Sequence, residues 1–219
     1  WSSDVCSSDL SFAPVAFLGM GDSALTLHPS LRVATVKELI DLAKKQPGEL
    51  LYASSGIGGF PHMSTELFKM MTKTSITHVP FKGGGPAAVD TMSGHTQILF
   101  GSMPTVATMI ASGRLKLIAT GGAKRNPNHP NVPTVAETVP GYESTIWWGL
   151  FAPKTTPAEV IASIHALVST AIAAPDLVRR FGEQGAVPNK MSSAEFGKLM
   201  VSETNKWQEV IRAAGIKGE

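Results

Sequence analysis

The chain has 219 residues, of which 43% are hydrophobic and 16% charged, with a net charge of +2. That length supports one large domain or two small ones with real cores, and the composition is that of a folded rather than a disordered chain. No Lys/Arg cluster marks a nucleic-acid surface, no apolar run approaches the roughly 20 residues that span a bilayer, and the single cysteine, Cys6, excludes an internal disulfide.

Residues 1–10, WSSDVCSSDL, are polar and lack strand or helix period. They read as translated adapter sequence or a disordered tail and are set aside from fold reasoning. A basic stretch followed by an apolar one, the mark of a secretory leader, is not visible at this end. Residues 12–19 and 23–28 read as two short extended segments. Thr35 then opens a helix through a capping box, with Glu38 reaching back to the cap, and Pro47-Gly48 ends it.

A regular alternation follows. Strands are predicted at residues 50–53, 77–79, 97–101 and 115–120, with helices at 61–71, 86–93 and 104–112 and stops at Gly94 and Gly113. This pattern implies βαβ units in a mainly parallel α/β sheet. Beyond the Pro/Asn-rich residues 125–137, a helical turn is expected near Val135 and an extended segment at 145–153. Three helices follow. The first is expected from a capping box at Thr156-Pro157-x-Glu159, the second over 175–184. The third starts at Ser192-x-x-Glu195 and stops at Gly215.

The stretch LYASSGIGGFPHMSTELF, residues 51–68, is a strand-to-helix loop in that sheet. Ligands of parallel sheets bind at the carboxyl ends of strands. The first turn of the next helix offers unpaired N–H groups and a positive dipole end. Gly56, Gly58 and Gly59 let a ligand approach the backbone, and Ser54 and Ser55 add hydroxyls. His62 can donate if its ring turns to the loop. A carboxylate or phosphate fits such a place. A plain tight turn with a solvated histidine remains the open alternative. A second loop, HVPFKGGGPAAV, repeats the plan with Lys82, Gly83 and Gly84, and two helix N-termini can then meet one anion. An exposed loop lysine is the other reading of Lys82.

No P-loop, dinucleotide fingerprint, nucleophile elbow or His-Glu-x-x-His is present. The six histidines stand singly, without ligand spacing, and read as surface or satisfied side chains. Glu66, four residues after His62, can pair with it on one helix face. No metal and no cofactor is expected.

YASSGIGGFPHMSTELF, HVPFKGGGPAAV, LKLIATGGAKRNPNHPNVPTVAE and WWGLFAPKTTPAEVI resemble the Bug family, the substrate-binding proteins of tripartite tricarboxylate transporters. The resemblance covers residues 12–219. It implies an α/β, type II periplasmic-binding-protein-like two-lobe fold. It also implies one small carboxylate held in an interlobe cleft, a periplasmic location and membrane permease subunits as partners, the receptor itself not spanning the membrane. The first glycine loop with His62 then matches one half of a carboxylate pincer, and residues 82–85 the adjacent loop, with Phe81 in place of the usual tyrosine. Gly101 and Ser102 stand where relatives often carry an acidic or amide pair. An ammonium group would lack its carboxylate there, so plain acids, aliphatic or aromatic, are expected rather than amino acids. The resemblance divides the chain into the tail 1–10, a lobe 1 or hinge segment 11–22, lobe 2 at 23–145, and a strand and helices returning to lobe 1 at 146–219. Lobe 2 is expected whole and lobe 1 incomplete. In the strand at 145–153, alternation sets Ile146, Trp148 and Leu150 toward the core and Trp147 toward the cleft.

Two other classes compete. The same fold can report ligand occupancy to a membrane signalling protein. An enzyme of small carboxylates on a parallel sheet is disfavoured, because no nucleophile, metal cluster or cofactor fingerprint is found.

Overall fold

The computed structural model describes residues 12–183 and 185–217. The expected tail, Cys6 and the helix end at Gln184 lie outside the described residues. In chain order the elements are β1 (Phe12–Leu27), α1 (Val36–Lys45), β2 (Leu51–Ser54), α2 (Phe60–Thr72), β3 (Thr77–Pro80), α3 (Gly84–Met92), β4 (Ile98–Ser102), α4 (Met103–Ala111) and β5 (Lys116–Thr120). A 3-10 turn (Val135–Glu137), β6 (Thr145–Pro153), α5 (Ala158–Ala171), α6 (Pro175–Glu183), β7 (Ala186–Pro188) and α7 (Ser193–Ala214) complete them. The described residues divide into two compact units: Asp22–Ile146 with Val210–Ile216, and Phe12–Gly21 with Trp147–Glu209 and Lys217.

The unit that starts at Asp22 is built on a sheet of order β3-β2-β4-β1-β5. β2 is parallel to β3 and β4, but β1 is antiparallel to β4 and β5. The sheet is therefore mixed, where the alternation of elements predicts a mainly parallel one. The difference comes from β1, which precedes the βαβ units and inserts between β4 and β5 in the opposite sense. Periodicity carries no information on strand direction. Its register, Ser23 opposite Ser102 and Ala24 opposite Thr120, brings the start of this half of β1 to the carboxyl ends of β4 and β5. α2, α3 and α4 all begin at that same edge. Small residues let the helices come close: Ala53, Ala87 and Ala88 are fully buried together. A second cluster places Phe68 and Tyr142 on Phe100, at 5.7 and 5.9 Å between ring centroids.

The other unit uses the first half of β1. Residues 12–27 form one strand rather than two segments. Gly19 and Gly21 break the hydrophobic pattern because neighbours crowd them. A Cβ at Gly19 would lie 2.6 Å from Val187 O, and one at Gly21 3.2 Å from the Trp148 ring. β7 pairs antiparallel with Gly19–Gly21, and β6 also pairs with β1. β7 has three residues, too few to show an alternation, and sequence reasoning misses it.

Trp148 and Leu150, expected in the core, are instead the exposed large residues of β6. Phe196 is fully buried and sits over Gly149, where a Cβ would meet its ring at 2.1 Å. Its ring packs with Trp147 at 5.5 Å, Phe151 at 5.2 Å and Phe17 at 5.5 Å. Trp147, Gly149 and Phe151 therefore make the packed side, and Trp148 and Leu150 remain 39% and 38% exposed. Alternation sorts β6 into two sides correctly. The notch at Gly149 decides which of them receives a ring from α7.

The helix caps divide as well. Thr35 accepts from Glu38 N–H at 3.2 Å, but the Glu38 carboxylate takes Ala34 N–H at 2.7 Å, one residue before the cap. Ser192 and Glu195 form the full reciprocal box, at 3.2 and 2.9 Å. The box expected at Thr156 does not form: the cap is Pro157, without a side-chain bond, and α5 starts one residue later. No single helix among the described residues is long and apolar enough to cross a membrane.

Gly149→Ala is expected to destabilise the protein by about 1–3 kcal/mol through overpacking against Phe196. Gly182→Ala on α6, where nothing lies within 4 Å of a new Cβ, is expected to leave stability equal or raise it. Urea unfolding of both variants checks the contrast, and an unchanged midpoint for Gly149→Ala would refute it.

Candidate functional site

β2 ends at Ser54 and α2 begins at Phe60 with Pro61 in its first turn. The chain turns between them on glycines that need to be glycines: Gly56 has φ 121° and Gly58 φ 73°, values other residues rarely adopt. A Cβ on Gly59 would strike the Ser55 hydroxyl at 2.6 Å. Gly59 N–H donates to Gly56 O at 3.2 Å and closes the turn, leaving Ile57 exposed at its tip.

This loop is tied down from inside. Gly56 N–H donates to Ser54 Oγ at 3.1 Å, and Gly58 N–H donates to His62 Nδ1 at 3.0 Å. Ser54 is fully buried and its Oγ lies 2.6 Å from His78 Nε2. Its hydroxyl belongs to the loop's own bonding rather than standing free as a donor. The His62 ring does turn to the loop, but as an acceptor. Accepting at Nδ1 leaves the neutral ring its proton on Nε2, 4.0 Å from Glu66 Oε1.

A column of rings lies below. His62 stacks on His78 at 4.2 Å and His78 on Tyr52 at 4.7 Å. Tyr52 and His78 are register partners in β2 and β3, so their side chains leave the same side of the sheet. Tyr52 OH donates to Glu66 Oε1 at 2.5 Å, and Lys69 Nζ donates to the same oxygen at 2.6 Å. Burial lowers the pKa of His62. Burial, followed by the neighbouring His62, lowers that of His78 to about 4. Burial and the Glu66 bond raise that of Tyr52. The column is neutral at pH 7 apart from its Glu66–Lys69 end.

The second glycine loop lies alongside. Phe81 N–H donates to Ser54 O at 2.9 Å, and a Cβ on Gly56 would lie 3.5 Å from Phe81 O. Gly83, at φ 118°, caps α3, whose first turn opens with Gly84 and Gly85. Lys82 is exposed and has no ion pair among the described residues. Gly84 approaches the start of α4, with Thr105 Cγ2 3.7 Å from a Cβ built on it. Ser102 precedes α4 and bonds Thr105 Oγ1 at 2.6 Å instead of capping the helix. Gly101 is buried, and its missing Cβ leaves room for Val106 at 2.9 Å. That glycine serves packing.

The structure thus brings Ser54, Ser55, Gly56, Gly58, Gly59, His62, Lys82, Gly83, Gly84 and Ser102 to one sheet edge. Trp147 belongs to the Phe196 cluster of the other unit. Sequence reasoning misses His78 and Tyr52, which stand singly in the chain and meet through strand register. It also misses Asp22, which adjoins the Ser23–Ser102 pair. The Asp22 carboxyl accepts from Asn126 at 3.0 Å, and burial raises its pKa. Among the described residues no cluster of His, Cys, Asp and Glu could hold a metal ion.

First-turn N–H groups of α2, α3 and α4 have no acceptor within their helices. Helix N-termini gathered at the carboxyl ends of strands are an arrangement suited to an anion on backbone amides. The comparisons with known proteins give the family. The profile of the tripartite tricarboxylate transporter family receptor matches residues 7–216. The chain belongs to that family, which includes the Bug proteins.

A protein encoded in the tcbD-tcbE intergenic region of Pseudomonas sp. strain P51 is 32% identical over 206 residues, 93% of this chain and 61% of the relative. BugT of Bordetella pertussis is 32% identical over 205 residues, 93% of this chain and 63% of the relative. The chain therefore spans a little over three-fifths of the length of these curated relatives. Among solved structures, R. palustris Rpa4515 with adipate has a TM-score of 0.83 at 34% identity, covering 94% of this chain and 69% of that one. MatC from Rhodopseudomonas palustris with bound malate has a TM-score of 0.79 at 27% identity, covering 91% and 69%. The fold is that of the two-lobed receptors of this family.

The depressed pKa of His78 makes stability depend on pH. Unfolding returns the ring to its ordinary value of 6.5, from about 4 in the fold. Between those values the unfolded chain binds a proton that the folded chain does not. This contribution is complete above pH 6.5 and is lost as pH falls toward 4. The melting temperature is expected to drop through that interval, and less steeply in His78→Gln. Equal slopes in thermal melts of the two proteins would refute the assignment.

Proposed function

We propose that the protein is an extracytoplasmic solute receptor that binds a small carboxylic acid at the paired glycine loops and delivers it to a tripartite transporter. One observation carries this reading. The bond from Phe81 N–H to Ser54 O sets two glycine loops side by side, each opening a helix at the carboxyl edge of parallel strands. Amides at two helix N-termini hydrogen-bond the oxygens of an anion, and their dipoles favour its charge. Lys82 adds a positive charge to the second loop.

The acid need carry no ammonium group. Ser102 offers no carboxylate to pair with one, and the Asp22 carboxyl is engaged by Asn126. Relatives solved with adipate and with malate support a dicarboxylate as the first ligand to try. Enclosure in an interlobe cleft, a periplasmic location and permease subunits as partners belong to the same proposal and rest on the family. So does the reading that the protein binds without turnover.

Calorimetric titration of the full-length protein with four- to six-carbon dicarboxylates tests this. Saturable binding of at least one acid in the micromolar range is expected. Gly84→Asp has room for its side chain and no conformational barrier, and an acid in a first helical turn favours the helix. Its charge should weaken binding at least tenfold at an unchanged melting temperature. Absence of binding by any of the acids, or undiminished affinity in the variant, would overturn the proposal.

A further inference from the structure

Of the two histidines beneath the glycine loop, His62 holds it by accepting a hydrogen bond. Gly58 N–H ends on His62 Nδ1 at 3.0 Å. Gly56 N–H ends on Ser54 Oγ at 3.1 Å, and that hydroxyl meets His78 Nε2 at 2.6 Å. Ser54 Oγ also lies 3.2 Å from Gly56 O, so its one proton serves either that carbonyl or His78 Nε2, and a lone pair is left for Gly56 N–H in both cases. The neutral form of His62 therefore completes the bonding that gives the loop its shape. His62 is 5% exposed, and its Nδ1 lone pair is used inward on the protein's own backbone.

We propose that His62 is a positioning residue that keeps Gly58 in the ligand-receiving shape, and that proton uptake by His62 frees the loop and releases the ligand. A proton on His62 Nδ1 would set two N–H groups against each other, because that nitrogen is the acceptor of the Gly58 amide. A proton on His78 Nε2 leaves the loop bonds satisfied, since Ser54 Oγ can accept from that ring and from Gly56 N–H while donating to Gly56 O, so His78 acts on His62 through its charge. The rings lie 4.2 Å apart, so a charge on one opposes a charge on the other. The charged and titratable groups acting on the pair are Glu66 and Lys69 from α2, with Tyr52 from β2 stacked on His78. The Glu66 carboxylate favours protonation and the Lys69 ammonium opposes it. Burial outweighs both and keeps the rings neutral near pH 7. A receptor built this way holds its ligand at neutral pH and loses it in acid.

The ligand arm of this inference rests on the carboxylate reading; the loop arm does not. Amide hydrogen exchange of Gly56 and Gly58, expressed as protection factors, is measured in the ligand-free full-length protein at pH 7.5 and 4.5. His62→Asn keeps an oxygen in place of Nδ1 and cannot titrate. His62→Phe keeps a ring for the stack and removes the acceptor. Gly58 protection is expected to fall at least tenfold in the parent protein, to hold in His62→Asn, and to be low at both pH values in His62→Phe. Adipate affinity should fall at least tenfold more in the parent than in His62→Asn over the same interval. Protonation of adipate itself is common to both proteins and cancels in that comparison. Constant Gly58 protection in the parent, or equal losses in the parent and His62→Asn, would overturn the proposal. The parent and His62→Asn decide it even if His62→Phe fails to fold. If protection follows pH as described while adipate binds to neither protein, the positioning role of His62 stands and the carboxylate reading falls.

Discussion

The three glycines of the loop between β2 and α2 have no side chains with which to fix themselves. Their conformation has to be imposed from outside the loop. Here it is imposed by two inward hydrogen bonds, from Gly58 N–H to His62 and from Gly56 N–H to Ser54. The rest of the site depends on keeping those acceptors in place. Strand register sets Tyr52 beside His78, helical spacing sets His62 above Glu66, and the Tyr52 hydroxyl and Lys69 hold the Glu66 carboxylate. A slip of one residue between β2 and β3 would turn His78 to the other side of the sheet, away from Ser54 and from the His62 ring.

The sheet edge is prepared by close packing as much as by polar groups. Ala53, Ala87 and Ala88 bring α3 onto the sheet, and Gly101 admits Val106 of α4. Larger residues at these points would push the helices outward and separate their N-termini. The glycines at this edge therefore do two kinds of work. Gly56, Gly58 and Gly83 adopt left-handed angles, whereas Gly59 and Gly101 are sites of contact where a side chain would collide.

What was legible in the sequence follows the range of the interaction. β2, α2, β3, α3, β4, α4 and β5 are visible as local periodicity, and Ser192 with Glu195 as a local cap. Both glycine loops announce themselves by composition. The antiparallel sense of β1, the pairing of three-residue β7 and the meeting of His78 with His62 depend on contacts between distant segments, and no local pattern encodes them. Trp147 and Trp148 show the boundary between the two. Alternation states that they point apart, but Phe196 chooses between them by occupying the notch at Gly149. Thr156 shows that a motif can be present and unused, since Pro157 takes the cap position.

The placement of β1 bears on how the chain is made. Its second half joins a sheet whose other strands are all present once residue 120 has left the ribosome, so this sheet can assemble while synthesis continues. Its first half pairs with β6 and with β7, and the last of these ends at Pro188. During elongation one continuous strand is therefore satisfied at its trailing end and bare at its leading end. That interval is when the early segment is open to chaperones, or to mispairing with a neighbouring nascent chain.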